Sequence, residues 1–493
     1  MSADYKKLGE NTLVLTIGNF SSKILNYLMI PLYTYVLTTE EYGIVDIIIT
    51  TVTLLIPVLS LSMNEAVMQF ALDAEYNKKK INTIGSLIGV FSCLAFLLLM
   101  PIFCLSDIIK EDFILFFFVY ISQLFSGIIG QFAKGCGDVK TYTLAGVVQT
   151  VVFLLCNIVL LVLFSMGIRG YLLSNIISNV ANACIIFFGL RIYRYYIVLK
   201  REDLNLLRKM LEYSIPLIPN NISWWISNSS DKYVLSFFFG ASMVGLYSTA
   251  YKIPSIMQVF ITIFWSAWQI SAVENFGSEE SRLFFGKIYN ALTSMLSLLC
   301  ALVICLSEVI ARIAFQKDFF LAWRFSPILV LGFLFSGLSS FLGTIYTSAK
   351  KTRMILYSTL VGALINIILN LYFIPMWNGY GAAIATLVSY FITWLFRVID
   401  SKRILKIDID YKKNLRDYFF LMALVICNLA VKTHRYIFLA LLVALIFANE
   451  YVFVVSAIRF VKKLADKFVA NIKIIWSDCV KFAKNVERNS WKG

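Results

Sequence analysis

Residues that build most catalytic and metal centres are scarce in this sequence. Its 493 residues include a single histidine, His434, and only 15% are charged. The nine cysteines are scattered singly without a CxxC pair, so neither a disulfide framework nor a zinc site is indicated. No nucleotide-hydrolysing motif occurs in the sequence. We therefore expect neither a metal nor a bound cofactor.

Apolar residues, by contrast, make up 59% of the chain. That share lies far outside the balance of a soluble globular protein and indicates an integral membrane protein. Apolar segments long enough to span a bilayer recur with short breaks, which predicts an all-α polytopic membrane protein with about 14 transmembrane helices. The predicted spans are 11–37, 42–62, 83–105, 113–133, 142–164, 168–190, 213–239, 244–272, 287–307, 322–347, 354–374, 380–397, 415–431 and 435–458.

Basic residues exceed acidic ones and give a net charge of +15. Most of the 44 lysines and arginines lie in the loops on the side of the N-terminus and in the C-terminal tail. The positive-inside rule therefore predicts that both termini are cytoplasmic. The charge is thus a topology signal, which favours contact with anionic lipid headgroups and gives no indication of nucleic-acid binding.

A weak internal repeat divides the chain. A hairpin sequence at 35–46 resembles the one at 237–248, and three residues recur with identical spacing, namely Gly130, Lys140 and Asn157 as Gly343, Arg353 and Asn370. Two parallel six-helix lobes follow from this repeat, with a cavity between them near the bilayer midplane. The predicted units are an N-terminal lobe at 1–190, a cytoplasmic linker at 191–212, a C-terminal lobe at 213–400, two C-terminal transmembrane helices at 411–458 and a basic amphipathic cytoplasmic tail at 459–493.

Charged residues inside the predicted spans mark the candidate functional site, because an ion in hydrocarbon is costly and usually faces a bundle interior or a wet cavity. Asp231 and Lys252 flank a predicted turn at 240–244 and lie at equal depth, roughly 15 Å below one membrane face. We predict an ion pair between them, either a working site or a static bridge, with Lys232 beside it. Lys23 lies in the middle of the first span.

Three stretches, at 18–47, 63–70 and 230–253, resemble the polysaccharide transporter family, the Wzx-type flippases of lipid-linked oligosaccharides. Their superfamily also contains the lipid II flippase and the MATE drug antiporters. The resemblance implies a two-lobed, V-shaped, MATE-like transporter that flips an undecaprenyl-diphosphate-linked oligosaccharide across the bacterial inner membrane. It also implies positive charge in the central cavity for the diphosphate, and Lys23, Lys232 and Lys252 are the matching candidates here.

The resemblance leaves several points open. The polymer can be an O-antigen, a capsule or another polysaccharide, and other polysaccharide-assembly proteins are expected partners. Asp231, Asp46 and Glu65 are candidates for ion pairing or for coupling to Na⁺ or H⁺, although Asp46 and Glu65 can equally cap helices or lie at the interface. Trp224 and Trp225 can stack on sugar rings or serve in packing and in the interfacial belt.

Two other functions compete with the flippase. A MATE-type cation-coupled multidrug antiporter is the alternative, and the lysines within the spans favour an anionic substrate over cationic drugs. A membrane-embedded glycan enzyme is a more distant alternative, since the sequence has neither a large outer loop nor a paired-carboxylate motif. We therefore predict a transporter and not an enzyme.

The charge asymmetry makes the topology testable. Reporter tags at Lys79, Arg201 and Lys492 are expected to read cytoplasmic, and tags at Glu111 and Asn378 are expected to read external. A cytoplasmic signal at Asn378 would contradict the fourteen-span arrangement.

Overall fold

The protein is described by a computed structural model at residues 25, 27–73, 75–103, 105, 110–277, 280–349, 351, 353–431, 433–456 and 458–459. Within these residues the regular secondary structure is helical and contains no strand. The all-α prediction is therefore confirmed. Lys23 and the predicted tail beyond Arg459 lie outside the described residues.

The helices follow one another with short connections. In chain order they are α1 (Ile30–Val36), α2 (Thr39–Leu59), α3 (Met63–Leu72), α4 (Lys78–Leu98), α5 (Met100–Phe103), α6 (Phe113–Gly135), α7 (Val139–Asn157), α8 (Gly167–Gly189), α9 (Leu204–Ser214), α10 (Ile218–Ala250), α11 (Ser255–Glu274), α12 (Ser281–Ala314), α13 (Ser326–Ser348), α14 (Arg353–Ser401), α15 (Tyr411–Ala430) and α16 (Arg435–Asn449).

Many of these helices can cross a membrane. Nine helical stretches in the described chain are long and apolar enough to do so. Two of the longest each contain a sharp break, at Gly240 in α10 (φ 76°) and at Asn378 in α14 (φ 46°). Each break lies between two of the predicted spans, and the predicted turn at 240–244 begins at Gly240. The chain is a multi-pass membrane protein, while the count of fourteen spans stays a prediction.

Buried apolar side chains form two clusters. One cluster takes its residues from Ile48 to Met210, between α2 and α9. The other runs from Leu235 to Ile446 and also includes residues of α1 and the start of α2, such as Tyr33 and Tyr42. The hairpin of α1 and α2 therefore packs into the C-terminal half of the molecule, which joins the two halves at one end.

The contact between α2 and α10 is made by backbone. A Cβ atom on Gly43 would lie 1.9 Å from the carbonyl oxygen of Ala241, and one on Gly245 would lie 1.9 Å from that of Thr39. Both positions therefore require glycine. The two contacts are related by the same 202-residue spacing as the hairpins of the internal repeat, so the lobes meet across a local pseudo-twofold axis. We call this contact the glycine crossing.

The segment predicted as a linker packs against the N-terminal half. Lys80 Nζ lies 2.5 Å from Asp203 Oδ1, and Met210 of α9 is buried in the first cluster. The hydrogen bond from Lys80 holds the pKa of the Asp203 carboxyl below its ordinary value. This segment is thus attached to the protein surface.

Candidate functional site

Four charged residues gather beside the glycine crossing, and we call Asp46, Asp231, Lys232 and Lys252 the charge cluster. Lys232 Nζ lies 2.8 Å from Asp46 Oδ2. Ser248 Oγ donates a hydrogen bond to the same carboxylate oxygen at 2.7 Å. Because Asp46 belongs to α2 while Lys232 and Ser248 belong to α10, this network connects the two lobes.

The predicted ion pair between Asp231 and Lys252 is wrong. The described chain contains no salt bridge between these two residues. The ion pair at this place joins Lys232 to Asp46. The prediction treated the segment from 244 to 272 as one continuous helix, but α10 ends at Ala250 and Pro254 precedes α11. Lys252 therefore lies on a turn between two helices, and its side chain has a different direction from the one that a continuous span would give it.

Lys252 is the second lysine of the charge cluster. It is half-buried and makes no ion pair with any residue the structure describes. It still lies close enough to Asp46 for electrostatic attraction. The charge cluster thus contains one cation paired across the lobes and a second cation with no carboxylate in direct contact.

Asp231 makes no salt bridge within the described residues, although the charge of the neighbouring Lys232 attracts it and the backbone N–H of Lys232 donates to its Oδ1 at 2.9 Å. It is 1% exposed, and Tyr251 donates its hydroxyl to Asp231 Oδ2 at 3.1 Å. Thr386 Oγ1 lies 3.5 Å from the same oxygen. The preceding residue, Ser230, donates to the side-chain oxygen of Asn366 at 3.0 Å, and Asn370 donates to the same oxygen at 2.9 Å. A buried carboxylate surrounded by neutral oxygen groups can accept a proton or a small hard cation.

A cavity of about 620 Å³ opens between helices of the C-terminal half, and we call it the C-lobe cavity. Trp224 and Trp265 line it with 40% and 39% of their surface exposed. Arg397 also lines it but is only 3% exposed. The combination of two indole faces with a cation suits a ligand that has both apolar and anionic parts.

The guanidinium of Arg397 has neutral partners only. It donates to Ser358 Oγ at 2.9 Å, to the carbonyl of Ser339 at 2.9 Å and to Thr359 Oγ1 at 3.2 Å. No carboxylate within the described ranges forms a salt bridge with it. The sequence-based site omitted Arg397, because an arginine at the end of a span looks like an ordinary positive-inside residue. The available signal was Gly343 of the internal repeat, whose missing Cβ leaves room for this guanidinium.

The other predicted site residues lie at different places in the structure. Trp224 lines the C-lobe cavity. Trp225 does not, because its indole N–H donates to the carbonyl of Thr50 at 2.9 Å and so ties α10 to α2. Glu65 lies in α3, and burial raises the pKa of its carboxyl above the ordinary value. Lys23 is outside the described residues.

Comparison with known proteins identifies relatives of one kind. A family model described as "Polysaccharide biosynthesis protein" matches residues 8–269, and one described as MatE matches residues 216–372. The "Probable low-salt glycan biosynthesis flippase Agl15" of Haloferax volcanii is 25% identical over 200 residues. That alignment spans 39% of this chain and 41% of the relative, so the chain covers about two fifths of that protein's length.

Solved structures share the fold. "Lipid II flippase MurJ, inward closed conformation" superposes with a TM-score of 0.67 at 16% identity, covering 92% of this chain and 99% of that one. An inward-facing multidrug MATE transporter superposes with a TM-score of 0.60 at 14% identity, covering 79% and 95%. At these identities the similarity establishes the MATE-like fold alone.

The matches agree with the resemblance found in the sequence, which is confirmed. The family match covers more than half of the chain, and the other matches are described as flippases and as MATE transporters. The protein is a multi-pass membrane protein with a MATE-like fold, and it belongs to the polysaccharide biosynthesis protein family.

Proposed function

We propose that the protein flips a polyprenyl-diphosphate-linked oligosaccharide, a polysaccharide repeat unit, across the bacterial inner membrane by alternating access of its two lobes. Undecaprenyl is the proposed lipid, both termini are proposed to be cytoplasmic, and polysaccharide-assembly proteins are the proposed partners. The relatives are described as glycan biosynthesis and lipid II flippases, which supports this substrate class.

The observation that carries the proposal is the distribution of charge at the lobe contact. A diphosphate cannot cross hydrocarbon without cations at midplane depth. Lys252 has no carboxylate in direct contact, and the ion-pair partner of Lys232 belongs to the other lobe. When the lobes separate at the glycine crossing, Lys232 loses Asp46 and becomes available to the diphosphate. Lys23 is proposed as a third cation of this site.

The sugars are proposed to contact the aromatic faces of the C-lobe cavity. Trp224 and Trp265 present apolar surface there beside polar groups such as Asn228 and Gln258. Sugar rings have apolar C–H faces and polar edges, so they match a surface of this kind.

Transport needs an energy source, and Asp231 is proposed as its coupling group. The carboxylate is buried, makes no salt bridge in the part of the chain that is described, and lies beside the hydroxyls of Tyr251 and Thr386. Binding of Na⁺ or H⁺ would neutralise it and change its preference for a solvated or a buried environment. Asp46 and Glu65 remain the other candidates.

A MATE-type multidrug antiporter is the second candidate function, because the MatE family model matches residues 216–372. Cationic drugs need an accessible unpaired carboxylate. The two carboxylates of the charge cluster are occupied or buried, Asp46 by Lys232 and Asp231 within its hydroxyl neighbours. This arrangement favours the anionic lipid over the cationic drug.

Removal of Lys252 tests the anion site. Lys252→Ala is expected to lower glycan export on the order of tenfold or more at matched protein level, and Lys252→Arg is expected to retain part of it, since the diphosphate mainly needs positive charge. Lys79→Ala, at an exposed lysine, serves as the control. Lys23→Ala is expected to behave like Lys252→Ala. Normal export by both alanine variants, together with drug efflux by the wild type, would favour the antiporter.

The Lys232–Asp46 pair distinguishes a working contact from a static one. Asp46→Asn leaves a partly buried lysine unpaired and is expected to destabilise the fold by about 2 kcal/mol. Asp46→Asn combined with Lys232→Met is expected to restore the melting temperature without restoring export. Thermal unfolding of the purified protein and export in cells are the two measurements. Normal export by the double variant would show that the pair is only a bridge.

Asp231 is tested by the response of the purified protein to ions. The wild type is expected to be stabilised against thermal unfolding by Na⁺ relative to K⁺, or by a lower pH, because either ion would neutralise the buried carboxylate. Asp231→Asn is expected to lose this response, while Glu65→Gln keeps it. The reverse pattern would place the coupling group at Glu65.

A further inference from the structure

A second cavity, of about 380 Å³, lies among α6, α7 and α8 in the N-terminal half, and we call it the N-lobe cavity. Its volume is within the range of about 300–1,000 Å³ that small-molecule sites occupy. No charged residue of the described chain lines it. Six side-chain amides do, from Gln123, Gln131, Gln149, Asn175, Asn179 and Asn182.

The amides are arranged by helix geometry. Asn175, Asn179 and Asn182 recur at intervals of four and three residues, so they share one face of α8. Gln149 of α7 donates to Asn179 at 2.9 Å, and Asn179 donates to Asn175 at 2.9 Å. Gln123 of α6 donates to the same Asn175 oxygen at 3.3 Å. The result is a chain of amide hydrogen bonds across three helices.

The two cavities occupy corresponding places in the two halves. The 202-residue spacing of the hairpin repeat relates Ile56 of the N-lobe cavity to Gln258 of the C-lobe cavity. The 213-residue spacing of the other repeat relates further lining residues, namely Gln123 to Ser336, Gly127 to Ser340 and Gly130 to Gly343. The C-lobe cavity contains Arg397, whereas the described lining of the N-lobe cavity is neutral. The two corresponding cavities therefore differ in the chemistry of their lining.

The N-lobe cavity has spare room and spare hydrogen-bonding capacity. A Cβ atom on Gly146, which lines it, would meet no atom within 4 Å. The side-chain oxygen of Gln131 is buried and accepts no hydrogen bond within the residues described. The open space beside Gly146 and the unpaired acceptor of Gln131 leave the cavity able to hold a ligand that donates a hydrogen bond.

We propose that the N-lobe cavity binds neutral sugar residues of the lipid-linked glycan. A sugar hydroxyl both donates and accepts hydrogen bonds, and a side-chain amide offers one group of each kind. A neutral site gives no compensation for a diphosphate, so the lipid headgroup stays at the charge cluster. The inference rests on the function proposed above and assigns to the N-lobe a part of the substrate that the cationic site does not bind.

The unobstructed Gly146 allows the cavity to be filled without disturbing the backbone. Gly146→Phe is the test variant, and Gly146→Ala is the matched control that adds only a Cβ. The affinity of the full-length protein in lipid nanodiscs is measured for two probes. One probe is the lipid-linked oligosaccharide isolated from the cells that make this protein, and the other is the same polyprenyl diphosphate without sugars. The wild type is expected to prefer the first probe. In Gly146→Phe the preference is expected to fall on the order of tenfold, with binding of the sugar-free probe unchanged.

A second variant separates binding from structure. Gln131→Leu removes an unpaired acceptor, so its melting temperature is expected to equal or exceed that of the wild type. Its preference for the sugar-bearing probe is nevertheless expected to fall severalfold, whereas Gln69→Leu, at an exposed glutamine outside the cavity, leaves the preference unchanged.

The outcomes distinguish this inference from the proposed function. If the wild type binds the lipid-linked oligosaccharide and Gly146→Phe retains the full preference for sugars, the cavity inference is overturned and the flippase proposal stands. A wild type that binds both probes equally overturns the cavity inference in the same way. If the wild type binds neither probe, both proposals fail.

Discussion

The cost of holding ions inside a membrane is the constraint on which this structure depends. Three charged side chains inside the protein reduce this cost in three different ways. Lys232 takes a carboxylate from the opposite lobe, Asp231 takes hydroxyls from its own lobe, and Arg397 takes two hydroxyls and a carbonyl. Only the first of these arrangements depends on the lobes being together. The lobe contact and the ion pairing of the central site are therefore linked, as the alternating-access cycle proposed above requires.

The internal repeat determines where the two cavities lie as well as how the helices are arranged. Two halves with the same path of helices create two cavities at corresponding positions, one lined by amides and one by tryptophan and arginine. A lipid-linked glycan is itself chemically divided into an anionic headgroup, neutral sugars and a hydrocarbon chain. A duplicated scaffold with diverged cavities can recognise such a substrate in parts, each with the ligand groups that suit it.

Sequence reasoning predicted the helical membrane fold and the turn at Gly240, because long apolar runs and the break between them are directly visible. It chose the wrong partner for Asp231, since residue spacing gives depth along a helix but not where Pro254 interrupts it. Arg397 was missed because it resembles a loop arginine. The amides of α8 were missed because asparagine in a membrane helix is as often a packing residue as a ligand.

The glycine crossing has a consequence for the speed of the transport cycle proposed above. At Gly43 and Gly245 the lobes touch through backbone atoms, so no side chain at these positions must select a rotamer when the contact forms. Ordering a long side chain costs up to about 2 kcal/mol of rotamer entropy, and glycine has no side chain to order. This part of the interface can part and rejoin on every turnover without waiting for side-chain rearrangement.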